Sequence, residues 1–213
     1  MARIGLVHGL GGSAATMAPL ATVLEQHGHE VLAVTLPGHG TDPEDLVGVG
    51  WTDWLAAVPH AEVLIGQSMG AALALTVAAV HDHLRGVVAI NMPAADPDGL
   101  EGLEWRRSRG HDWVDGPELA PGEVGYTRFP ITALVEMVEG VLALDLAAVD
   151  CPVLLVNSAH DDVVDPMTAH VVADALSGPV ERLTLPHSGH VATMGPDLAL
   201  LTDAVLAAIG QWS

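Results

Sequence analysis

Six short runs of the chain are almost wholly apolar or β-branched: RIGLV (3–7), EVLAVT (30–35), EVLIG (62–66), GVVAIN (86–91), PVLLVN (152–157) and VERLTL (180–185). Near-continuous runs of this kind suit strands covered on both faces, as in a parallel sheet. Between them lie longer segments of helical pattern, at about 15–27, 51–57, 69–82, 131–143, 167–176 and 196–210. Gly28 stands where the first of these has to stop. The alternation of strand and helix predicts an open α/β sheet with helices on both faces. Residues 92–130 break the rhythm. They are rich in Pro, Gly, Asp and Glu, carry Arg106, Arg107 and Arg109, and hold Trp105 and Trp113. The segment is too long for an ordinary connection. The tryptophans predict partial packing, as an insertion over one edge of the sheet.

Composition narrows the picture. The chain has 213 residues, a length that suits one domain with one large core. Half of the residues are hydrophobic but only 3% are aromatic, so Val, Leu, Ala, Ile and Met must build the core. The formal net charge is -20, and every basic residue is an arginine. Such a surface repels nucleic acid and anionic membranes. The single cysteine, Cys151, allows no intrachain disulfide and reads as a small core filler. The opening MARIGLVHGLGG lacks a charged-then-apolar leader, and no apolar stretch reaches the roughly 18 residues of a membrane helix. The expectation is a soluble cytoplasmic protein with no nucleic-acid partner and no membrane insertion.

The chemistry concentrates at GQSMG (66–70), between an apolar strand and an alanine-rich helix. A parallel sheet presents ligands to the carboxyl ends of its strands, and Ser68 follows such an end. A tight strand–turn–helix strains its central residue and requires small neighbours two positions away, which Gly66 and Gly70 supply. The result is an exposed hydroxyl at a helix N-terminus, where negative charge is favoured. The plainer alternative is a glycine-rich turn with a capping serine. A nucleophilic serine needs a histidine base oriented by a carboxylate, in the order Ser, Asp, His. In NSAHDDVVDP (157–166) Asp161 is the candidate acid, Asp162 the runner-up, and Asp165 a helix cap. His160 among these aspartates raises a metal site, but no second ligand group has a matching spacing. In LPHSGHVATM (185–194) His190 is the candidate base and His187 the fallback. For an oxyanion hole the backbone N–H groups of Met69 and of Leu10, in the loop HGLGGS (8–13), are the candidates. No metal or organic cofactor is implied.

Together HGLGGS, LPGHGTDPEDL, WTDWL, GQSMG, HDDVVDP and SGHVATM resemble the α/β-hydrolase superfamily, in particular bacterial monoacylglycerol lipases and small carboxylesterases. The likeness runs from about residue 3 to 212. It implies an α/β-hydrolase fold with a minimal, mostly parallel sheet of about six strands and a short lid at 92–130. It also implies a catalytic Ser68, Asp161 and His190, with oxyanion amides at Leu10 and Met69. His39, in LPGHG, is a landmark that shapes a turn. The expected reaction is hydrolysis of a short- to medium-chain or monoacylglycerol-like ester through an acyl-enzyme. A thioester or lactone suits the same groups, and the fold also hosts non-hydrolytic binding proteins. Met92, Trp105, Leu134 and Met137 are candidates for an acyl pocket, although Leu134 and Met137, about one helical turn apart, read more simply as core.

Overall fold

Each of the six apolar runs becomes a strand of one sheet. The computed structural model describes residues 1–119 and 122–212. The strands are β1 (Arg3–Val7), β2 (Glu30–Val34), β3 (Val63–Gln67), β4 (Gly86–Ile90), β7 (Val153–Ser158) and β8 (Val180–Leu185), in spatial order β2-β1-β3-β4-β7-β8. All five pairings are parallel, which explains the missing polar–apolar alternation: helices cover both faces. On one face Ile4, Leu6, Ile65, Val88 and Leu154 meet α1 (Ala14–Gln26) and α7 (Leu198–Gln211). On the other, Leu64, Val87, Ala89 and Leu155 meet α3 (Met69–Val80) and α6 (Thr168–Ala175). Fully burying one such Leu or Ile stabilises the fold by about 1.5–3 kcal/mol. No helix among the described residues is long and apolar enough to cross a membrane.

Local chemistry explains the boundaries. The Ser13 hydroxyl caps α1 by accepting the Ala15 N–H at 3.2 Å. At its other end Gly28 takes φ +82°, the Gly28 N–H reaches Glu25 O at 2.9 Å, and the His29 N–H reaches Leu24 O at 3.2 Å. That is a Schellman stop at the expected glycine. A third apolar cluster sits above the carboxyl ends of the strands. It joins Val7, Leu36, Met69 and Leu73 to Tyr126, Phe129 and Trp54 of the short helix α2 (Trp51–Ala56).

Residues 92–130 hold more structure than their pattern predicts. They form α4 (Pro97–Ser108) and an antiparallel pair, β5 (Trp113–Asp115) with β6 (Arg128–Pro130), before α5 (Ile131–Leu142). α4 has no buried residue, so it carries no apolar stripe to betray it. Its ends are made by Asp96, which accepts the Gly99 N–H, by Pro97 in the first turn, and by Arg106 and Arg107 in the last. Trp105 is 59% exposed, with the Arg109 guanidinium over its ring, while the half-buried Trp113 lies under Arg128. The second half of the segment rests over the strand ends rather than an edge of the sheet: the Tyr126 N–H donates to Gly11 O at 3.0 Å.

Candidate active site

β3 delivers Ser68 to the strand-to-helix junction with φ +56° and ψ −123°. That is strained geometry for a residue with a side chain. It is held from both sides. The Ser68 N–H donates to Ile90 O at 2.8 Å, and Ser68 O accepts the Ala71 N–H at 2.9 Å. The flanking glycines are required by close approach. A Cβ on Gly66 would lie 2.1 Å from Gly70 O, and a Cβ on Gly70 would lie 2.2 Å from Val7 O. The small neighbours therefore let α3 start directly against β1 and β3, with Ser68 at its N-terminus.

The candidate acid and base follow the ends of β7 and β8, beyond β4. His190 Nδ1 is 2.9 Å from both carboxylate oxygens of Asp161. Asp161 Oδ1 also accepts the Val163 and Val164 N–H groups, each at 2.9 Å, so the carboxylate is fixed by its own turn. Its side chain is 2% exposed and that of His190 16%. A carboxylate only accepts, so Nδ1 carries the proton and Nε2 is the nitrogen left for proton transfer. The two fallback residues lie elsewhere: Asp162 and His187 are exposed. The His187 N–H instead anchors the loop, donating to Asp197 Oδ2 at 2.7 Å beside the Ser188 hydroxyl at 2.9 Å. Burial of the Asp197 carboxyl raises its pKa, but these donors outweigh that and hold it below the usual carboxylate range. Asp165 accepts the Met167 N–H at 2.9 Å, capping the turn that leads into α6. Among the described residues no group of three or more His, Cys, Asp or Glu is arranged to hold a metal ion.

The loop after β1 runs against the serine, where a Cβ on Gly9 would lie 3.0 Å from Ser68 Cβ. Gly11 adopts φ +76°, and a side chain there would strike the Phe129 ring at 2.6 Å. Among the described residues, neither the Leu10 nor the Met69 N–H donates to a protein acceptor. His8, whose part the motif does not disclose, braces this loop. It is fully buried; its Nδ1–H donates to Gly9 O at 2.7 Å and its Nε2 accepts the Leu36 N–H at 3.0 Å. Burial lowers its pKa to about 4 against the pull of the Gly9 carbonyl, with His39 adding to the depression, so it is neutral. His39 lies edge-on to it at 4.9 Å, is likewise lowered by burial, and donates from Nδ1 to Pro37 O at 2.9 Å, a turn-shaping role. Cys151 keeps its proton, since burial pushes its thiol up to about 11.

Ser68 and His190 line one cavity of about 70 Å³, together with Leu10, Leu119, Tyr126 and Phe129. Among the described residues, no Asp, Glu, Lys or Arg lines this cavity. A larger, mostly apolar cleft of about 380 Å³ lies beyond the Asp161 loop, between Met137, Val138 and Val141 of α5 and Val163 and Val164, with Asp96 and Asp165 also in its walls. Of the residues expected in an acyl pocket, Met137 lines this cleft and Met92 is buried. Leu134 packs against the third apolar cluster and Trp105 stands exposed.

Comparison with known proteins identifies the family and the fold. The model of the Alpha/beta hydrolase family matches residues 6–201. A thermostable monoacylglycerol lipase of Bacillus sp. (strain H-257) is 31% identical over 94% of this chain and 87% of its own length. A pimeloyl-[acyl-carrier protein] methyl ester esterase of Xanthomonas campestris pv. campestris is 34% identical, over 53% of this chain and 41% of its own. Among solved structures, one from the metagenome-derived lipolytic enzymes LipS and LipT superposes with a TM-score of 0.89 at 27% identity, covering 98% of this chain and 93% of the other. The monoacylglycerol lipase of Paleococcus ferrophilus shares the fold, with a TM-score of 0.79 at 16% identity over 99% and 95% of the two chains.

Proposed function

The chain belongs to the alpha/beta hydrolase family, and from that premise we propose that it hydrolyses carboxylic esters through an acyl-enzyme formed on Ser68. The observation that carries this reading is that His190, paired with Asp161 at 2.9 Å, lines the same cavity as the strained Ser68. His190 Nε2 takes the Ser68 proton as the oxygen attacks the substrate carbonyl. Negative charge then builds on the carbonyl oxygen, to which the Leu10 N–H of the loop after β1 and the Met69 N–H at the start of α3 donate hydrogen bonds. His190 returns the proton to the departing alcohol. Water, activated by the same nitrogen, cleaves the acyl-enzyme and frees Ser68. Asp161 holds the histidine in the Nδ1–H tautomer throughout and stabilises the imidazolium.

The substrate is an uncharged ester with a short- to medium-chain acyl group. The cavity at Ser68 is small and, among the described residues, holds no Asp, Glu, Lys or Arg in its walls, which suits a neutral ester. The larger cleft beyond Asp161 offers apolar room for a longer chain. Residues 92–130 act as a lid, since Leu119, Tyr126 and Phe129 from this segment wall the cavity. The test is hydrolysis of p-nitrophenyl esters from acetate to laurate, with Ser68→Ala alongside. Turnover that disappears in the variant, with an optimum at short or medium chain, is the expected result. Turnover that survives Ser68→Ala would overturn the assignment.

A further inference from the structure

We infer that Asn91 is a positioning residue that sets His190 against Asp161, an inference resting on the triad reading above. Asn91 directly follows β4, is 2% exposed, and takes φ +47°. Besides Ser68 it is the only non-glycine among the described residues with positive φ. Asparagine tolerates this left-handed conformation better than most residues. Its backbone N–H continues the ladder to Val156 O at 2.8 Å, which fixes where the side chain starts.

The carboxamide bridges the two segments that carry acid and base. Its Oδ1 accepts the Ser158 N–H at 2.8 Å, at the end of β7, three residues before Asp161. Its Nδ2 donates to His190 O at 2.8 Å and to the Ser158 hydroxyl at 3.0 Å, with Gly189 O at 3.4 Å. The orientation of the amide is unambiguous. Only an oxygen can take the Ser158 N–H, and only the NH₂ can face two backbone carbonyls. A single side chain thereby spans the end of β4, the end of the acid-bearing strand and the backbone of His190 itself. The backbone of the histidine is held at one end by Asn91 and its ring at the other by Asp161. Without the carboxamide, the loop carbonyls lose their donor and the ring is free to move off the carboxylate.

Two variants separate this role from that of a general fold staple. Asn91→Gly removes the side chain while tolerating φ +47°, so the backbone can stay. Asn91→Asp keeps the shape but sets a carboxylate oxygen against two carbonyls. The first readout is the tautomer of His190, taken from the two ring 15N shifts of histidine-labelled protein at pH 8 and assigned by His190→Ala. It needs no turnover. The second is kcat and KM on the ester series, with Ser68→Ala as control. Wild type is expected to show His190 as the Nδ1–H tautomer. Both folded variants are expected to show a tautomer mixture, at least a tenfold loss of kcat, and KM within twofold. An unaltered tautomer in folded Asn91→Gly would overturn the inference, as would a wild type lacking the Nδ1–H form or an altered tautomer with kcat intact. Failure of both variants to fold would also overturn it, in favour of a plain structural staple. Hydrolysis persisting in Ser68→Ala would instead sink the triad reading, while the tautomer would still decide Asn91.

Discussion

Acidification should loosen the protein through His8, and the size of the effect follows from its burial. His8 is fully buried, and its pKa falls from 6.5 to about 4 because the charged form is desolvated. Above pH 6.5 the imidazole is neutral in both folded and unfolded chains, and its contribution to stability is complete. Between pH 6.5 and about 4 the unfolded chain binds a proton that the folded chain refuses, so stability falls as pH falls. Below about 4 the folded state also takes the proton and the slope ends. At about 1.36 kcal/mol per pH unit the interval is worth about 3 kcal/mol. For a domain of this length that corresponds to roughly 10 °C in Tm. The assay is urea and thermal unfolding of wild type and His8→Asn from pH 8 to pH 4. Taking the difference cancels the carboxylates common to both. The variant keeps an N–H that can reach Gly9 O but loses the acceptor for the Leu36 N–H, so it starts less stable at pH 8, by about 1–3 kcal/mol. Its curve should then converge on that of wild type as the pH falls through 6.5. Two curves that stay parallel from pH 8 to 4 would refute the reasoning.

Gly66→Ala drives a methyl to 2.1 Å from Gly70 O, and neither backbone can yield, so a loss of about 3 kcal/mol and roughly 10 °C in Tm is expected; a drop below 2 °C in a thermal melt would contradict the elbow packing. Asp161→Asn offers His190 a donor where Nδ1–H needs an acceptor, and kcat should fall by about 10³–10⁴. The exposed Asp162→Asn should leave kcat within twofold, and steady-state kinetics on the two variants decides between them. Cys151, its thiol pushed up to about 11, should react with a chromogenic disulfide at pH 8 far more slowly in native than in urea-unfolded protein. Equal rates would contradict its partial burial.

What could be read in advance depended on whether the cause lay close by in the chain. The six strands were legible because two covered faces leave an unbroken apolar run. Gly66 was legible because the atom it approaches, Gly70 O, lies four residues on; Gly70 was legible from its place in the turn, although the backbone it meets is that of Val7 on β1. Asp161 and His190 were legible through the loops that follow β7 and β8. The helix α4 was not, because a helix without a buried residue has no stripe to find. For the same reason Trp105 stands exposed where partial packing was expected. His8 hides its role because the Leu36 N–H that it accepts is 28 residues away. Asn91 hides further: its partners at Ser158, Gly189 and His190 come from 67 to 99 residues downstream. An asparagine closing the apolar run 86–91 was the one local sign that the strand ends in a left-handed turn.

The central claim is that Ser68 is a nucleophile activated by His190, and a fluorophosphonate tests it directly. Wild type, His190→Ala and Ser68→Ala are treated with the reagent, and the adduct is located by mass spectrometry of the peptides. One adduct per chain on Ser68, lost in Ser68→Ala and formed at least a hundredfold more slowly in His190→Ala, is the predicted result. An unlabelled Ser68 in wild type, or labelling at the same rate without His190, would contradict it.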